Sequence, residues 1–303
     1  KRINRRALEA MIKAGAFDTI HLNRASLVES MDRAFDFAAA SAANANQHGL
    51  FDMGGEDDHG SSTQEPDLVE VLPWGVREQL TQEKSAVGFY LSGHLFDEMA
   101  LEVRRFAKRP IEELQDTREP QLVAGVVSDF RVTNGERGRR VIFNLDDKSK
   151  VIEAAMNDAL YQVCREVVTD DALIVAMGKF QPARNGYEAR FNIQEGWSLE
   201  QARCRFGKFL RVAVQLDEQQ RAPDLHAMVR EFPAVREMSE QGELVRGLPV
   251  RLQLQCLTPE GEVAGAAVDL HLDERAKFFP SDAALASWRG QAYQGKAAIV
   301  YDL

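Results

Sequence analysis

At Gln121 the apolar residues change period, and that switch limits what the chain can fold into more than any other feature. Upstream, Ala7, Leu8, Met11, Ile12 and Ala14 recur at helical spacing, which predicts a helix over Arg6–Ala16 that Gly15 can terminate. Leu27, Met31, Ala34, Phe35 and Ala38 predict a second helix from Arg24 to about Asn44, and Val76–Tyr90 reads as a third. Downstream the pattern alternates. Leu122, Ala124 and Val126, then Val141, Phe143 and Leu145, then Val151 and Ala154–Met156 predict three strands. Asn134-Gly135 and Asp146-Asp147-Lys148-Ser149 supply the turns.

Asn157–Val167 reads as a helix, and Ala172–Phe180 and Tyr187–Ile193 as two further strands that turn at Asn185-Gly186. Five strands with a helix after the third is the order of an OB-fold, a Greek-key barrel that binds single-stranded nucleic acids or oligosaccharides. The last hundred residues predict a small α+β unit. Its strands are Phe209–Leu216, Val250–Leu257, Ala264–Leu272 and Ala297–Leu303; its helices are Leu225–Met238 and Ser281–Arg289, the latter N-capped by Ser281.

Between the first helices and the barrel the composition breaks. From Asn44 to about Asp67, Asn, Gly, Ser, Gln and acidic residues dominate, too polar to bury a core, which predicts a flexible linker. Residues 47–72 carry seven acidic residues and no Lys or Arg, whereas residues 1–24 carry six Lys/Arg against Glu9 and Asp18. With a net charge of −10, any contact with nucleic acid must be local. No apolar run approaches the roughly 20 residues of a membrane span. Cys164, Cys204 and Cys256 are scattered, with no CxxC pair, which fits small buried side chains in a reducing cytoplasm. The chain lacks an initiator Met and is expected to begin inside a longer polypeptide.

Gln47-His48-Gly49-Leu50-Phe51 stands alone in the acidic stretch. Leu50 and Phe51 suit an apolar pocket and the Gln47 amide its rim, so the peptide resembles the bacterial sliding-clamp-binding motif; a chance Leu-Phe pair folded back on its own domain is the alternative. Three further segments give context. Leu8-Glu9-Ala10-Met11-Ile12-Lys13-Ala14-Gly15-Ala16-Phe17-Asp18 is similar to the end of the helix-hairpin-helix region of the bacterial replicative DNA polymerase III alpha subunit. Glu83-Lys84-Ser85-Ala86-Val87-Gly88-Phe89-Tyr90-Leu91-Ser92-Gly93-His94 is similar to a hallmark stretch before that family's OB domain. Val123-Ala124-Gly125-Val126-Val127 and Leu145-Asp146-Asp147 match its first barrel strands. At Leu95-Phe96 the family usually has a proline, so a local backbone difference is expected there.

The resemblance implies a multidomain α+β chain. Its parts would be the end of a helix-hairpin-helix region (1–44), a flexible linker with the clamp peptide (45–70), a helical connector (71–118), an OB-fold (119–200), and a small α+β C-terminal domain like the one that binds the clamp-loader tau subunit (207–303). The implied partners are the sliding clamp (Gln47, Leu50, Phe51), tau, single-stranded and duplex DNA, and other subunits of the replicative holoenzyme, with no membrane. Lys13, Gly15 and Arg24 would hold a duplex phosphate, although a helix C-cap with a solvated Lys13 describes the same residues. Arg131, Arg137, Arg139, Arg140 and Lys148 would form a basic DNA-binding surface on the barrel, together with Lys150. Phe130 and Phe143 either stack bases or fill the barrel. His94 suits capping or packing better than catalysis.

Catalytic residues are expected to be absent. The family's palm motif of alternating aspartates does not occur, and Asp57-Asp58, Asp146-Asp147 and Asp170-Asp171 read as solvated linker or turn pairs. The fragment is expected to need no cofactor, and Mg2+ belongs to a catalytic core outside it. The resemblance thus implies a carboxy-terminal, non-catalytic part of a DNA-directed DNA polymerase. The alternatives are the error-prone alpha paralogue, disfavoured by the intact peptide, and an OB-fold RNA-binding module such as a tRNA synthetase anticodon-binding region.

Overall fold

The computed structural model describes residues 4–47, 65–135, 138–184, 186, 188–216, 225–239, 242–256 and 268–302. They divide between two compact units, Lys1–Leu95 and Phe96–Leu303.

The first unit is helical. Helix α1 (Arg5–Lys13) starts where the Asn4 side chain accepts the Arg6 N–H, and its end leads to Gly15 in the left-handed region at φ 84°. The single helix expected from Arg24 is two, α2 (Arg24–Glu29) and α3 (Met31–Gln47), separated at Ser30. The Ser30 hydroxyl donates to the Ser26 carbonyl at 2.6 Å and accepts the Val69 N–H at 2.8 Å, while the Ser26 hydroxyl accepts the Val71 N–H. Two serines thus satisfy the backbone of an extended returning segment. Helix α3 runs to Gln47, past the expected linker boundary, because the alanine-rich stretch favours helix and no glycine interrupts it before Gly49. Helix α4 (Val76–Val87) stops at Gly88, φ 91°, short of the expected Tyr90.

The second unit opens with α5 (Asp97–Val103), which periodicity did not reveal, and continues into the barrel. Strands β1 (Gln121–Gly135), β2 (Gly138–Asp146), β3 (Val151–Asn157), β4 (Leu173–Gln181) and β5 (Arg190–Trp197) close in the order β1-β2-β3-β5-β4, with β1 sealing against β4. Among the described barrel strands, only the β3–β5 pair is parallel. This is the strand order of an OB-like barrel, and helix α6 (Asp158–Cys164), capped by Asn157, sits between β3 and β4 as expected. Alternating residues fill it, among them Val123, Val141, Phe143, Leu145, Ile152, Ile174 and Phe191. Phe143 therefore fills the barrel, and half-buried Phe130 packs on Tyr161 at 5.6 Å. At Gly178 a Cβ would lie 2.3 Å from the Asn192 carbonyl oxygen, so the β4–β5 register shift at Met177/Gly178 requires glycine there.

Helix α7 (Leu199–Phe206) leaves the barrel through a capping box in which Ser198 and Gln201 satisfy each other's backbone N–H groups. The C-terminal part comprises β6 (Phe209–Leu216), α8 (Leu225–Glu231), β7 (Val235–Ser239), β8 (Gly242–Arg246), β9 (Val250–Cys256), β10 (Val268–His271), α9 (Asp282–Gln291) and β11 (Ala297–Val300). Its sheet runs β10-β9-β6-β11, with β6 and β9 parallel. The helix expected over Leu225–Met238 ends at Glu231, since Pro233 cannot continue it, and the chain enters the β7–β8 hairpin. Trp288 of α9 and Met228 of α8 pack against Leu210, Val212, Val250 and Leu252 on one sheet face.

Two polar nodes hold this unit. Asp147, expected in a solvated turn, is buried: it accepts from the Arg104 guanidinium at 2.6 Å, the Ile111 N–H at 2.9 Å, and the Ser149 hydroxyl. Burial pushes its carboxyl up, but these donors outweigh burial and hold it below the usual aspartate range. The second node is Arg203, which forks onto Glu102 with two 2.8 Å bonds and donates to the Pro280 carbonyl. Glu102 also accepts the Tyr301 hydroxyl.

Candidate nucleic-acid interface

The barrel's basic residues gather around the β1–β2 hairpin and the following turn. Arg139 and Arg140 stand exposed on β2 beside its tip, where Asn134 pairs with Arg139 and Thr133 with Arg140. Arg139 makes a long 3.4 Å ion pair with Asp158, and Arg140 makes none among the described residues. Arg131, further along β1, is held by Glu153, which also takes Arg190. Lys148, at φ 72° in the β2–β3 turn, pairs with Asp97 at 2.9 Å. Arg137 lies outside the described residues. Among its described residues the hairpin therefore presents Arg139 and Arg140 as its least neutralised cations, with Arg131 and Lys148 of the following turn partly compensated. Exposed pairs of this kind are weak enough for a phosphate to displace.

Lys13, Gly15 and Arg24 do come together, in a different arrangement from a phosphate cradle. The N–H groups of Ala14, Gly15 and Ala16 bond back to Ala10, Ile12 and Met11, so these three amides are already engaged and do not cradle an anion. Lys13 pairs with Glu9 at 2.7 Å, and that pairing holds the Glu9 carboxyl below its ordinary range. Arg24 is buried at 7% exposure. It forks onto Asp18 at 2.7 and 2.6 Å, and donates to Glu83 at 2.7 Å and the Lys13 carbonyl at 3.1 Å. Arg24 therefore belongs to the fold of this unit, with its guanidinium fully engaged. A Cβ on residue 15 would lie 2.2 Å from the Arg24 Nη2, so Gly15 admits Arg24 as well as supplying the left-handed turn.

Sequence reasoning missed Glu83. It is fully buried and accepts the Leu91 and Ser92 N–H groups at 2.7 and 2.9 Å as well as Arg24. Burial pushes its carboxyl up; the Ser92 and Leu91 donors and Arg24 outweigh that and bring it down to about 2. One carboxylate thus ties α4 to the loop that follows Gly88 and to α2. His94 is half-buried in that loop. Gln47 is the last residue of α3, and Leu50 and Phe51 lie outside the described residues. Cys164 is buried with its thiol donating to the Gly196 carbonyl, and burial pushes the Cys204 thiol up to about 11.

No family model matches the chain. Curated relatives do. It is 36% identical over 216 residues to the DNA polymerase III alpha subunit of Neisseria meningitidis serogroup B, across 70% of this chain and 18% of that protein. It is 34% identical over 234 residues to that of Pseudomonas aeruginosa, across 72% and 20%. Over this shared stretch, the chain belongs to the DNA polymerase III alpha family. Escherichia coli K12 alpha is similar at 27% over 231 residues. The chain spans only 18 to 20% of the length of these relatives.

Among solved structures, PriB from Ralstonia solanacearum is 12% identical with a TM-score of 0.22, across 27% of this chain and 99% of that one. A small single-stranded DNA-binding protein from Streptomyces coelicolor is 16% identical with a TM-score of 0.22, across 26% and 88%. The barrel is defined by its own strand order. The Glu83–His94 stretch that resembles the alpha family has a physical reason in this structure: Glu83 needs the Leu91 and Ser92 amides, and Gly88 the left-handed turn between them. Among the described residues, no three His, Cys, Asp or Glu side chains gather closely enough to hold a metal ion. No described helix is long and apolar enough to cross a membrane.

Proposed function

We propose that this chain is the carboxy-terminal, non-catalytic region of a replicative DNA-directed DNA polymerase, and that it holds the enzyme to DNA, to the sliding clamp and to the clamp loader's tau subunit. The observation that carries this is the 34–36% identity to alpha subunits over more than two hundred residues. The catalytic carboxylates and their Mg2+ then lie elsewhere in the polymerase. In this reading the OB-like barrel contacts the template strand through Arg139 and Arg140, the C-terminal unit meets tau, and Gln47, Leu50 and Phe51 meet the clamp. Buried Arg24 is left out of the DNA surface, for the reasons of geometry above.

The clamp contact is tested by pull-down on immobilised sliding clamp. Leu50→Ala with Phe51→Ala should remove both apolar anchors and reduce capture at least about tenfold, since each buried side chain of this size contributes roughly 1.5–3 kcal/mol. Undiminished capture would falsify that contact. For the barrel, Arg139→Glu with Arg140→Glu should weaken single-stranded DNA binding and flatten its salt dependence by about 0.7 per lost phosphate contact. An unchanged salt slope would remove the hairpin from the interface.

A further inference from the structure

The C-terminal sheet has two unlike faces. Leu210 and Val212 of β6, Val250 and Leu252 of β9, and Ile299 of β11 turn into the core around Trp288. The alternating positions carry Phe209, Arg211 and Ala213 on β6, Arg251 on β9 and Ala298 on β11. On the parallel β6–β9 pair, Arg211 and Arg251 are direct register partners, and Ala298 faces Arg211 from the other side. The two arginines thus sit on strands about 4.8 Å apart. Both lie over one buried ring, the Arg251 guanidinium 3.7 Å and the Arg211 guanidinium 5.7 Å from the centroid of Phe209.

Like charges at facing positions of adjacent strands repel. Among the described residues neither arginine has an ion-pair partner to relieve that repulsion. From Arg211 a groove of about 660 Å³ runs over the small side chains of Ala213 and Ala298 to Lys296 and Arg105. Its acidic member, Asp302, is paired with Lys108 at 3.4 Å. Arg105 is anchored by donating to the Ile299 carbonyl at 3.2 Å. Asp269 of β10 is the nearest carboxylate in register, beside Gln253 and one row away from the arginines.

We infer that this face is a second contact for the backbone of a single-stranded nucleic acid, which lays its phosphodiesters on the Arg211–Arg251 pair and along the groove towards Lys296. This extends the DNA-binding part of the function proposed above. A planar guanidinium matches a phosphate with two parallel N–H bonds, and a ring beneath it fixes the plane in advance. Two such forks side by side hold an anion that relieves their mutual repulsion. The floor of Ala213 and Ala298 lets a sugar-phosphate chain approach the strands. Phe209 is buried under the arginines and cannot stack on bases, so the contact carries no sequence preference. A carboxylate-rich peptide shares the charge, but the tandem forks over a close floor favour the phosphodiester, whose successive charges lie on one continuous backbone.

The test measures anisotropy of a fluorescent 20-nucleotide oligothymidylate with the full chain at several salt concentrations. It uses the unaltered protein and a background that already carries Arg139→Glu and Arg140→Glu. In both, Arg211→Ala with Arg251→Ala should weaken binding about tenfold at low salt and flatten the salt slope by about 1.4, two phosphate contacts' worth. The Arg211→Lys, Arg251→Lys protein, which keeps the charge, should retain most of the slope. If the barrel changes have no effect and the sheet changes do, the barrel reading fails and this one stands. Unchanged affinity and slope in both backgrounds would overturn the proposal. So would loss of binding to labelled poly-glutamate with oligothymidylate binding intact, which would make the face a protein-docking surface.

Discussion

Replacing Glu83 by Gln should destabilise the first unit by roughly 3–5 kcal/mol, the range for removing one partner from a buried ion pair. The amide keeps the shape of the carboxylate but loses its charge. Arg24 would then keep Asp18 on one side and face a neutral group on the other, and the Leu91 and Ser92 N–H groups would lose a charged acceptor. Amide exchange at Leu91 and Ser92 should accelerate even where the unit stays folded.

The pH dependence follows the same carboxylate. Glu83 falls from 4.5 to about 2 on folding, so its contribution is fully present above pH 4.5 and is lost as the pH drops towards 2. The shift corresponds to about 3 kcal/mol. Urea unfolding of the first unit should therefore lose stability steeply across that window in the unaltered protein and less steeply in Glu83→Gln. Equal slopes, with unchanged exchange at Leu91 and Ser92, would show that Glu83 does not hold this unit together.

Arg203→Met should have an effect of similar size on the second unit, again roughly 3–5 kcal/mol by denaturant unfolding. Arg203 is 4% exposed in its side chain and is the cation that keeps Glu102 ionised. Burial pushes the Glu102 carboxyl up, and Arg203, joined by the Tyr301 hydroxyl and the Arg289 charge, outweighs burial to bring it below the ordinary range. Burial, followed by the adjacent Glu102 charge, pushes the Tyr301 phenol up, so Tyr301 remains a donor and cannot replace the missing cation. Replacing both partners, Arg203→Met with Glu102→Leu, should recover stability to within about 1–2 kcal/mol of the starting protein, because no buried charge stays behind uncompensated; Asp282, which also pairs with Arg203 at 2.7 Å, is 83% exposed. A double variant as unstable as the single one would mean that packing, and not charge compensation, sets the cost.

The barrel was legible because each strand alternates around one core: Val141, Phe143 and Leu145 all point inward, as their spacing predicts. Helix α9 was legible from its cap, Ser281, whose side chain accepts the Ala284 N–H. Helix α7 had the same signal in Ser198 and Gln201 and went unread. The β7–β8 hairpin buries little on either side, with Met238 85% exposed, so it carries no period-2 signal; Pro233 marked only where the helix before it had to stop.

The polar nodes were harder, for a different reason. Arg24 and Glu83 lie 59 residues apart, and no local pattern tells a buried arginine from a surface one. Arg24 was accordingly expected to meet a phosphate, and Asp147 to face solvent. Arg211 and Arg251 read only as strand residues, because their adjacency exists only once β6 and β9 pair in parallel.

The Glu102–Arg203–Tyr301 node also bears on how the second unit carries load. The Tyr301 hydroxyl reaches a carboxylate 199 residues earlier in the chain, and the same carboxylate grips the helix that leaves the barrel. Traction on the segment after β11 therefore reaches α5 and α7 through three side chains as well as through the β6–β11 pairing. A pull there is thus shared between the sheet and the helix at the barrel's exit.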